Sequence, residues 1–314
     1  MVITVTLNPA MDKTLILDDF SPGEVNRVVS VRHDIGGKGI NVSKVLKEFA
    51  IDSVAIGFLG GNFEEVFRKE LKNRGIAEKF VSVAGSTRTN TKVVDRKNGI
   101  YTDINEPGPV ITKGEMEKFY SLYDGIVKSG DVVVLSGGIC QGIPSDIYGI
   151  LTQKAKAKGA KVIVDAEGEY LRQALLEGPD MIKPNDRELA TLVGKEVLTE
   201  EEIVIEMKNL LKNGLKKVLV SRGEKGSLLV TGKGTYKGEG LQVEVRSTVG
   251  AGDSMVAALV YSELEQLDDR RTLVMAQAAG AAAVMTEGTE ACTLDEVKKL
   301  MVYAEEKITA IENE

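Results

Sequence analysis

The segment Ser247-Thr248-Val249-Gly250-Ala251-Gly252-Asp253-Ser254 brings two kinds of chemistry within a few residues of each other. Glycines let the backbone turn sharply and bring its N–H groups close to a ligand. The apolar run Met255-Val256-Ala257-Ala258-Leu259-Val260 that follows predicts a buried helix. The first turn of a helix carries N–H groups without intrahelical partners, at the positive end of the macrodipole, so an anion is favoured there. Gly250, Ala251 and Gly252 are therefore candidate anion donors. Asp253, at the same helix start, either caps the helix or accepts a proton from a substrate hydroxyl. The alternation of Leu241 to Val245 ahead of this segment predicts a strand.

A second glycine-rich turn, Gly36-Gly37-Lys38-Gly39, leads into Ile40-Asn41-Val42-Ser43-Lys44-Val45-Leu46, whose apolar spacing is helical. Three glycines in four residues are costly in backbone entropy, which points to a close approach by something else. Lys38 and Asn41 add a cation and an amide that both donates and accepts. A flexible turn with a solvated lysine is the bland alternative. No Gly-Lys pair is followed by Ser or Thr, so the P-loop pattern is absent, as are the protein-kinase HRD and DFG signatures.

The paired segments GGKGINVSKVL and STVGAGDSMVAAL resemble the two signatures of the ribokinase-like (PfkB-type) sugar kinases. The opening Thr6-Leu7-Asn8-Pro9-Ala10-Met11-Asp12 resembles the branch that phosphorylates hexose phosphates. Gly23-Glu24-Val25-Asn26-Arg27, Thr87-Arg88-Thr89-Asn90, Lys183-Pro184-Asn185-Asp186-Arg187-Glu188 and Glu287-Gly288-Thr289-Glu290 follow in family order, so the resemblance spans essentially the whole chain. Within the branch it is greatest to the 1-phosphofructokinases, with the tagatose-6-phosphate kinases next. The resemblance implies ATP-dependent phosphorylation of fructose 1-phosphate to fructose 1,6-bisphosphate, with tagatose 6-phosphate as the alternative acceptor. A non-catalytic sugar- or nucleotide-binding regulator is the alternative of a different class, disfavoured because the base and the anion loop are both intact.

The resemblance also distributes roles. Asp253 is the expected base, with Gly250, Ala251 and Gly252 neutralising the moving phosphoryl group. Asp12 is expected to grip sugar hydroxyls, against a turn-cap alternative; Gly37, Lys38, Asn41 and Ser136 complete the sugar pocket. Arg27, Lys38 and Arg88 are the candidates for the substrate's existing phosphate, each equally readable as a solvated surface charge. For ATP the matches are Lys183, Asn185 and the turn Ser221-Arg222-Gly223-Glu224-Lys225-Gly226, a plain hairpin turn outside that context. Ala279 and Ala283 lie on a small-residue helical face that either admits an adenine ring or serves close helix packing. Glu188 and Asn185 are expected to order Mg2+ on ATP, largely through water, since Mg2+ keeps several waters and takes few protein ligands. A monovalent cation is left open. Ile139-Cys140-Gln141-Gly142-Ile143-Pro144 departs from the family's usual Leu-Pro-x-Gly turn and puts the shape of that loop in question.

The elements that must position these groups alternate between strand and helix. Strands are predicted at Val2–Leu7, Ser53–Phe58, Val132–Leu135, Lys161–Asp165, Met181–Lys183 and Lys217–Ser221, and helices at Ile40–Phe49, Phe63–Asn73, Ser145–Ala157, Glu200–Lys212 and Thr293–Ile311. Short, wholly apolar strands suit a parallel sheet covered on both faces, giving a doubly wound α/β fold with ligands at the carboxyl ends of its strands. Lys13–Arg32 and Thr87–Ile104 instead alternate, around the turns Ser21-Pro22-Gly23 and Lys97-Asn98-Gly99, and predict antiparallel strands with one exposed face, which resemble the small β lid that closes over the sugar in the family. The division expected is a core of residues 1–11, 36–85 and 106–314 and a lid of residues 12–35 and 86–105.

With 314 residues, 43% hydrophobic and 28% charged, the chain is long enough to bury a sizeable core. A formal net charge of −7 and no basic tail disfavour nucleic acid as a partner. An anionic substrate then requires local positive charge against the overall field. The two cysteines imply no disulfide framework, and the single histidine, His33, reads as an ordinary strand residue. The first residues enter a strand pattern at once and the longest apolar stretch, Val274–Met285, is short for a membrane, so cytoplasm is expected. The lid leaves open a homodimer.

Overall fold

The apolar runs that predict buried strands divide their side chains between two helical layers, which is why they carry no polar face. The protein is described by a computed structural model covering residues 1–311 apart from Asn213. Its first third contains β1 (Val2–Thr6), β2 (Ala10–Leu17), β3 (Ser30–Gly36), α1 (Lys38–Glu48), β4 (Ser53–Gly60), α2 (Glu64–Asn73), β5 (Ala77–Val83), β6 (Arg88–Asp95) and β7 (Ile100–Asn105). There follow α3 (Lys113–Ile126), β8 (Val132–Ser136), α4 (Ile147–Ala157), β9 (Lys161–Asp165), α5 (Gly168–Leu176), β10 (Met181–Ile182), α6 (Asp186–Leu192) and α7 (Glu200–Lys212). The remainder is β11 (Lys217–Ser221), β12 (Ser227–Thr231), β13 (Gly234–Gly238), α8 (Ala251–Leu264), α9 (Asp269–Val284), α10 (Leu294–Glu306) and β14 (Ile308–Ile311).

Ten strands form the main sheet in the order β14-β13-β12-β11-β10-β9-β8-β1-β4-β5. From β11 to β5 every pairing is parallel; β12, β13 and β14 add an antiparallel edge. Alternate residues feed opposite layers. Val133 and Leu135 of β8 pack with Phe119 and Tyr123 of α3 and Leu151 of α4, while Val132 and Val134 pack with Val45 and Leu46 of α1 and Val256 and Val260 of α8. Each fully buried side chain of this size contributes roughly 1.5–3 kcal/mol of transfer free energy. The sheet order reverses at β1, which lies between β4 and β8. A crevice opens at such a switch point, beyond the strands' carboxyl ends. Asn8, Ser136, Asp165, Lys183 and Ser221 stand at or just after those ends.

The predicted lid exists, with one difference. Its four strands run in the order β3-β2-β6-β7, and the two outer pairings are antiparallel, but β2 and β6 run parallel. The two hairpin-like units lie far apart in sequence and meet edge to edge. The register sets Asp12 across from both Asp34 and Asn90, and Asn90 across from Asn105.

Two further expectations are corrected. Leu241–Val245 forms no strand despite its alternation, because alternation fits a pleated surface and needs a partner strand to become one. The helix predicted for Thr293–Ile311 stops at Glu306; Ile308–Ile311 pairs with β13 instead. No helix among the described residues is long and apolar enough to cross a membrane.

Candidate active site

A cleft of about 640 Å³ lies between the carboxyl ends of the sheet and the inner face of the lid. The pleat explains the lid's contribution: Asp34, Asp12, Asn90 and Asn105 form one row across the four strands, and Thr14, Lys92 and Asp103, two residues further along, form the next. All seven line the cleft. The polar half of the lid's alternation thus faces the ligand space rather than bulk water. Asn90 Nδ2 donates to Asp12 Oδ1 at 3.3 Å, and burial raises the Asp12 carboxyl to about 6 against the opposing pull of Lys44 and Asn90.

On the opposite wall stands the start of α8. Its N-cap is Gly250, in the left-handed region at φ 84°, and no side chain among the described residues caps this end. The first-turn N–H groups are left for a ligand. Asp253 is not the cap. Its carboxylate, 6% exposed, instead accepts from Asn41 Nδ2 at 2.9 Å, across 212 residues of sequence. Burial, reinforced by Asp165, raises this carboxyl to about 6 despite Lys38, Asn41 and Lys183. It is therefore ionised at neutral pH yet far more basic than an exposed aspartate. Ser247 Oγ donates to the Gly288 carbonyl at 3.1 Å and accepts from Val249 N–H at 3.2 Å, pinning the loop that enters α8.

Between these walls lies a residue the sequence reading did not single out. Asp165, at the end of β9 and 1% exposed, has Lys183 Nζ at 3.3 Å and Lys38 Nζ at 3.5 Å, both on Oδ1, while Ser136 Oγ donates to Oδ2 at 3.4 Å. Burial would raise its pKa, but the two ammonium groups hold it below the usual carboxylate range, and Asp165 in turn raises that of Lys38. The available signal was a charged residue ending the apolar run Val162-Ile163-Val164. Asn8, Thr6, Asn90 and Thr289 stand in the segments that carry the family resemblance but were given no role of their own, and Lys92 was not singled out. Of these, Asn8 Oδ1, Thr6 Oγ1, Asn90 Oδ1 and Thr289 Oγ1 are buried without a hydrogen-bond partner among the described residues, as is Arg88 Nε. Such groups are rare in native structures and call for a reason; all five belong to residues lining the cleft.

Asn185 and Glu188 form a reciprocal capping box on α6: Asn185 Oδ1 accepts from Glu188 N–H and Glu188 Oε2 from Asn185 N–H, each at 2.8 Å. Helix capping and presence in the cleft hold together, since both residues line it. Burial raises the Glu188 carboxyl, opposed by its bond to Asn185. No cluster of three or more His, Cys, Asp or Glu among the described residues makes a preassembled metal cage. This oxygen-donor set suits a hard, water-carrying dication brought in by a phosphate chain.

Several expected residues lie elsewhere. Arg27 is exposed on the segment between β2 and β3 and does not line the cleft. Ala279 and Ala283 are buried in the apolar layer with α8 and α10, where their small size serves helix packing, and neither lines the cleft. Ser221 lines the cleft but Gly223 and Gly226 do not. Gly226 is there because any side chain would strike the Gly238 carbonyl, 2.0 Å from a Cβ. The local positive charge expected for an anionic substrate is present but outnumbered by carboxylates. Lys38, Arg88, Lys92 and Lys183 face Asp12, Asp34, Asp103, Asp165, Glu167, Glu188 and Asp253. Arg88 donates to the backbone carbonyls of Glu106 at 3.0 Å and Asn8 at 3.2 Å, which brace its guanidinium at the rim. The unusual Ile139–Pro144 loop is tied down: Asn8 Nδ2 donates to the Ile139 carbonyl at 3.0 Å, and Ile111 N–H to the Gln141 carbonyl at 2.8 Å.

Comparison with known proteins places this arrangement. Residues 5–296 match the pfkB family of carbohydrate kinases. The chain belongs to that family. It is a sugar phosphotransferase with the ribokinase-like fold. It is similar to 1-phosphofructokinase of Bacillus subtilis, with 35% identity over 92% of this chain and 95% of that protein. It is also similar to tagatose-6-phosphate kinase of Staphylococcus epidermidis, with 32% identity over 97% of this chain and 99% of that protein. Among solved structures, phosphofructokinase-2 from Escherichia coli in complex with substrates and products superposes with a TM-score of 0.92 at 29% identity, covering 96% of this chain and 99% of that one.

Proposed function

We propose that this kinase transfers the γ-phosphoryl group of ATP to fructose 1-phosphate, giving fructose 1,6-bisphosphate and ADP, with Asp253 as the general base. The observation that carries this reading is the Asp253 carboxylate: buried, uninvolved in capping its own helix, raised to about 6, and set beside the uncapped start of α8. A base poised near the working pH is what removal of a hydroxyl proton requires. Asp253 takes the acceptor's proton as that oxygen bonds to the γ-phosphorus. The bond from phosphorus to the bridging oxygen breaks, and ADP leaves with the electron pair. The N–H groups of Gly250, Ala251 and Gly252 offset charge on the moving group. Asp12 and Asn90 hold sugar hydroxyls, Gly37, Asn41 and Ser136 shape that pocket, and Arg88 with Lys38 receives the phosphate already on the sugar. Lys183, Asn185 and Ser221 serve the nucleotide side. Glu188 and Asn185 would hold Mg2+ largely through water, and the ion would neutralise triphosphate charge against the carboxylate-rich wall. A monovalent cation belongs to the same reading. Residues 12–35 and 86–105 act as a lid over the sugar. The exposed Val29, Val31 and Ile104 on that segment suit a homodimer formed through it, and the cytoplasm, which supplies ATP and sugar phosphates, is the proposed location.

Tagatose 6-phosphate, giving tagatose 1,6-bisphosphate, is the second acceptor to weigh, because the chain is 32% identical to a tagatose-6-phosphate kinase over nearly its whole length. The test is a coupled ADP-release assay with fructose 1-phosphate, tagatose 6-phosphate, fructose 6-phosphate and fructose. Fructose 1-phosphate should give the highest kcat/KM, and free fructose should fall about 10²-fold or more below it, since a site built for a charged group leaves that charge uncompensated. A higher value for tagatose 6-phosphate would overturn the acceptor assignment.

A further inference from the structure

Lys44 is a buried titratable group for which phosphoryl transfer as described has no direct use. It sits one helical turn beyond Asn41 on α1 and is 4% exposed. It lines not the cleft but a second cavity of about 510 Å³ behind it, alongside His33, Asp34, Lys69, Glu70, Arg74 and Glu290. Its ammonium donates to the Ile35 carbonyl and, at 3.3 Å, to Asn41 Oδ1. An amide whose oxygen is held by an ammonium has one orientation left, and that orientation turns Asn41 Nδ2 to Asp253 Oδ2 at 2.9 Å. The charges facing Lys44 come from several elements: Asp34 from β3, Asp12 from β2, Asp253 from α8, and Arg74 just past α2. Burial and Arg74 push the Lys44 ammonium down to about 8, while the three aspartates hold it up. An apolar side chain would fill this space without the desolvation cost of a buried charge, so a purely structural filler would not need to be lysine.

We propose that Lys44 is a positioning residue for the phosphoryl-transfer site: it fixes the Asn41 amide on Asp253 and supplies the positive charge that stands behind both Asp253 and Asp12. The inference rests on reading Asp253 as the base. Without the ammonium, Asp253 keeps Lys38, Lys183 and Asp165 around it, but its Asn41 amide donor is free to turn away, so it holds its proton to higher pH.

The experiment compares kcat/KM against pH for wild type, Lys44→Met and Lys44→Arg, with thermal unfolding alongside; titration of the sugar phosphate itself is common to all three. In Lys44→Met the acid limb should move up by roughly one pH unit, as expected when a carboxylate loses a fixed hydrogen-bond donor to its charged form. The loss is then about fivefold at pH 6, approaching tenfold at pH 5, and small at pH 8.5, where the base is ionised either way. Lys44→Arg, which keeps the charge and the donors, should retain the wild-type limb. If Lys44→Met is insoluble, Lys44→Gln removes the charge while keeping a donor, and its limb should move in the same direction. An acid limb unmoved in the neutral variant, or moved equally in Lys44→Arg, would overturn the proposal, as would an equal loss at every pH. Asp253→Asn in the same assay separates the two readings. Retained activity there defeats the base assignment itself, whereas an inactive Asp253→Asn with an unmoved Lys44→Met limb defeats only the role of Lys44.

Discussion

Gly39 in α1 and Gly252 in α8 hold the same place, the second residue of a helix whose N-cap is a glycine with positive φ. Their surroundings differ. A Cβ on Gly39 would lie 2.6 Å from Thr6 Oγ1 and 2.7 Å from the Val5 carbonyl, so α1 presses its start directly onto β1. A Cβ on Gly252 would meet only the tip of Lys183, at 3.2 Å, and one on Gly250 would meet nothing within 4 Å. One glycine turn therefore exists so that protein can approach protein, while the other keeps space clear in front of uncapped N–H groups. Two glycine-rich sequence motifs thus serve packing in one case and ligand access in the other. What α1 gives the cleft is its side chains, Lys38 and Asn41; what α8 gives is chiefly backbone, plus one carboxylate.

The paired variants Gly252→Ala and Gly39→Ala test that contrast most strongly. Alanine at 252 suits a helix better than glycine and should leave thermal stability unchanged or slightly higher. The methyl intrudes on the anion space, however, and kcat/KM for ATP should fall about 10²-fold, as for a small misplacement of reacting groups. Alanine at 39 must instead push α1 off β1, at about 3 kcal/mol by the usual cost of overpacking, with a clear loss of Tm. Reversed outcomes would exchange the roles of the two helix starts. A smaller effect sharpens the sugar side. Arg88→Ala should raise KM for the sugar phosphate by about one to two decades, the worth of a charge-assisted hydrogen bond, and leave KM for ATP nearly unchanged. Equal changes for both substrates would make Arg88 a brace for Asn8 and Glu106 only.

Much of this was legible in the sequence because it is local. The predicted strands at Lys161–Asp165 and Lys217–Ser221 and the helix at Glu200–Lys212 match the observed elements residue for residue, since apolar runs and helical spacing are set within a few residues. Asp12, Lys38, Asn41, Arg88, Ser136, Lys183, Asn185, Glu188, Ser221 and Asp253 all reach one cleft. What was not legible depends on contacts across the chain. Asp165 matters because Lys38, 127 residues away, reaches it, and nothing near Asp165 in sequence announces that. Ala279 and Ala283 carry a small-residue stripe that reads the same way for a ligand wall and for a helix contact, and only the packing of α9 shows how buried they are. Ile308–Ile311 reads as the end of a helix until β13 offers it an edge.

The central claim, that Asp253 removes the acceptor proton, is tested most directly by kcat of Asp253→Asn at saturating ATP and sugar phosphate. Asparagine keeps the size of the side chain and its bond to Asn41 can be made through the amide oxygen, but no basic oxygen remains. The expected result is a fall in kcat of about 10²–10⁴-fold in a protein that still folds. Folding should even improve at alkaline pH. The raised carboxyl, about 6 against 3.8, contributes its stability below about pH 4 and loses it as pH rises through about 6. The variant should therefore be more stable than wild type at pH 8, by up to roughly 2–3 kcal/mol, and gain nothing at pH 4. A folded Asp253→Asn protein that keeps more than about a tenth of wild-type kcat would contradict the assignment.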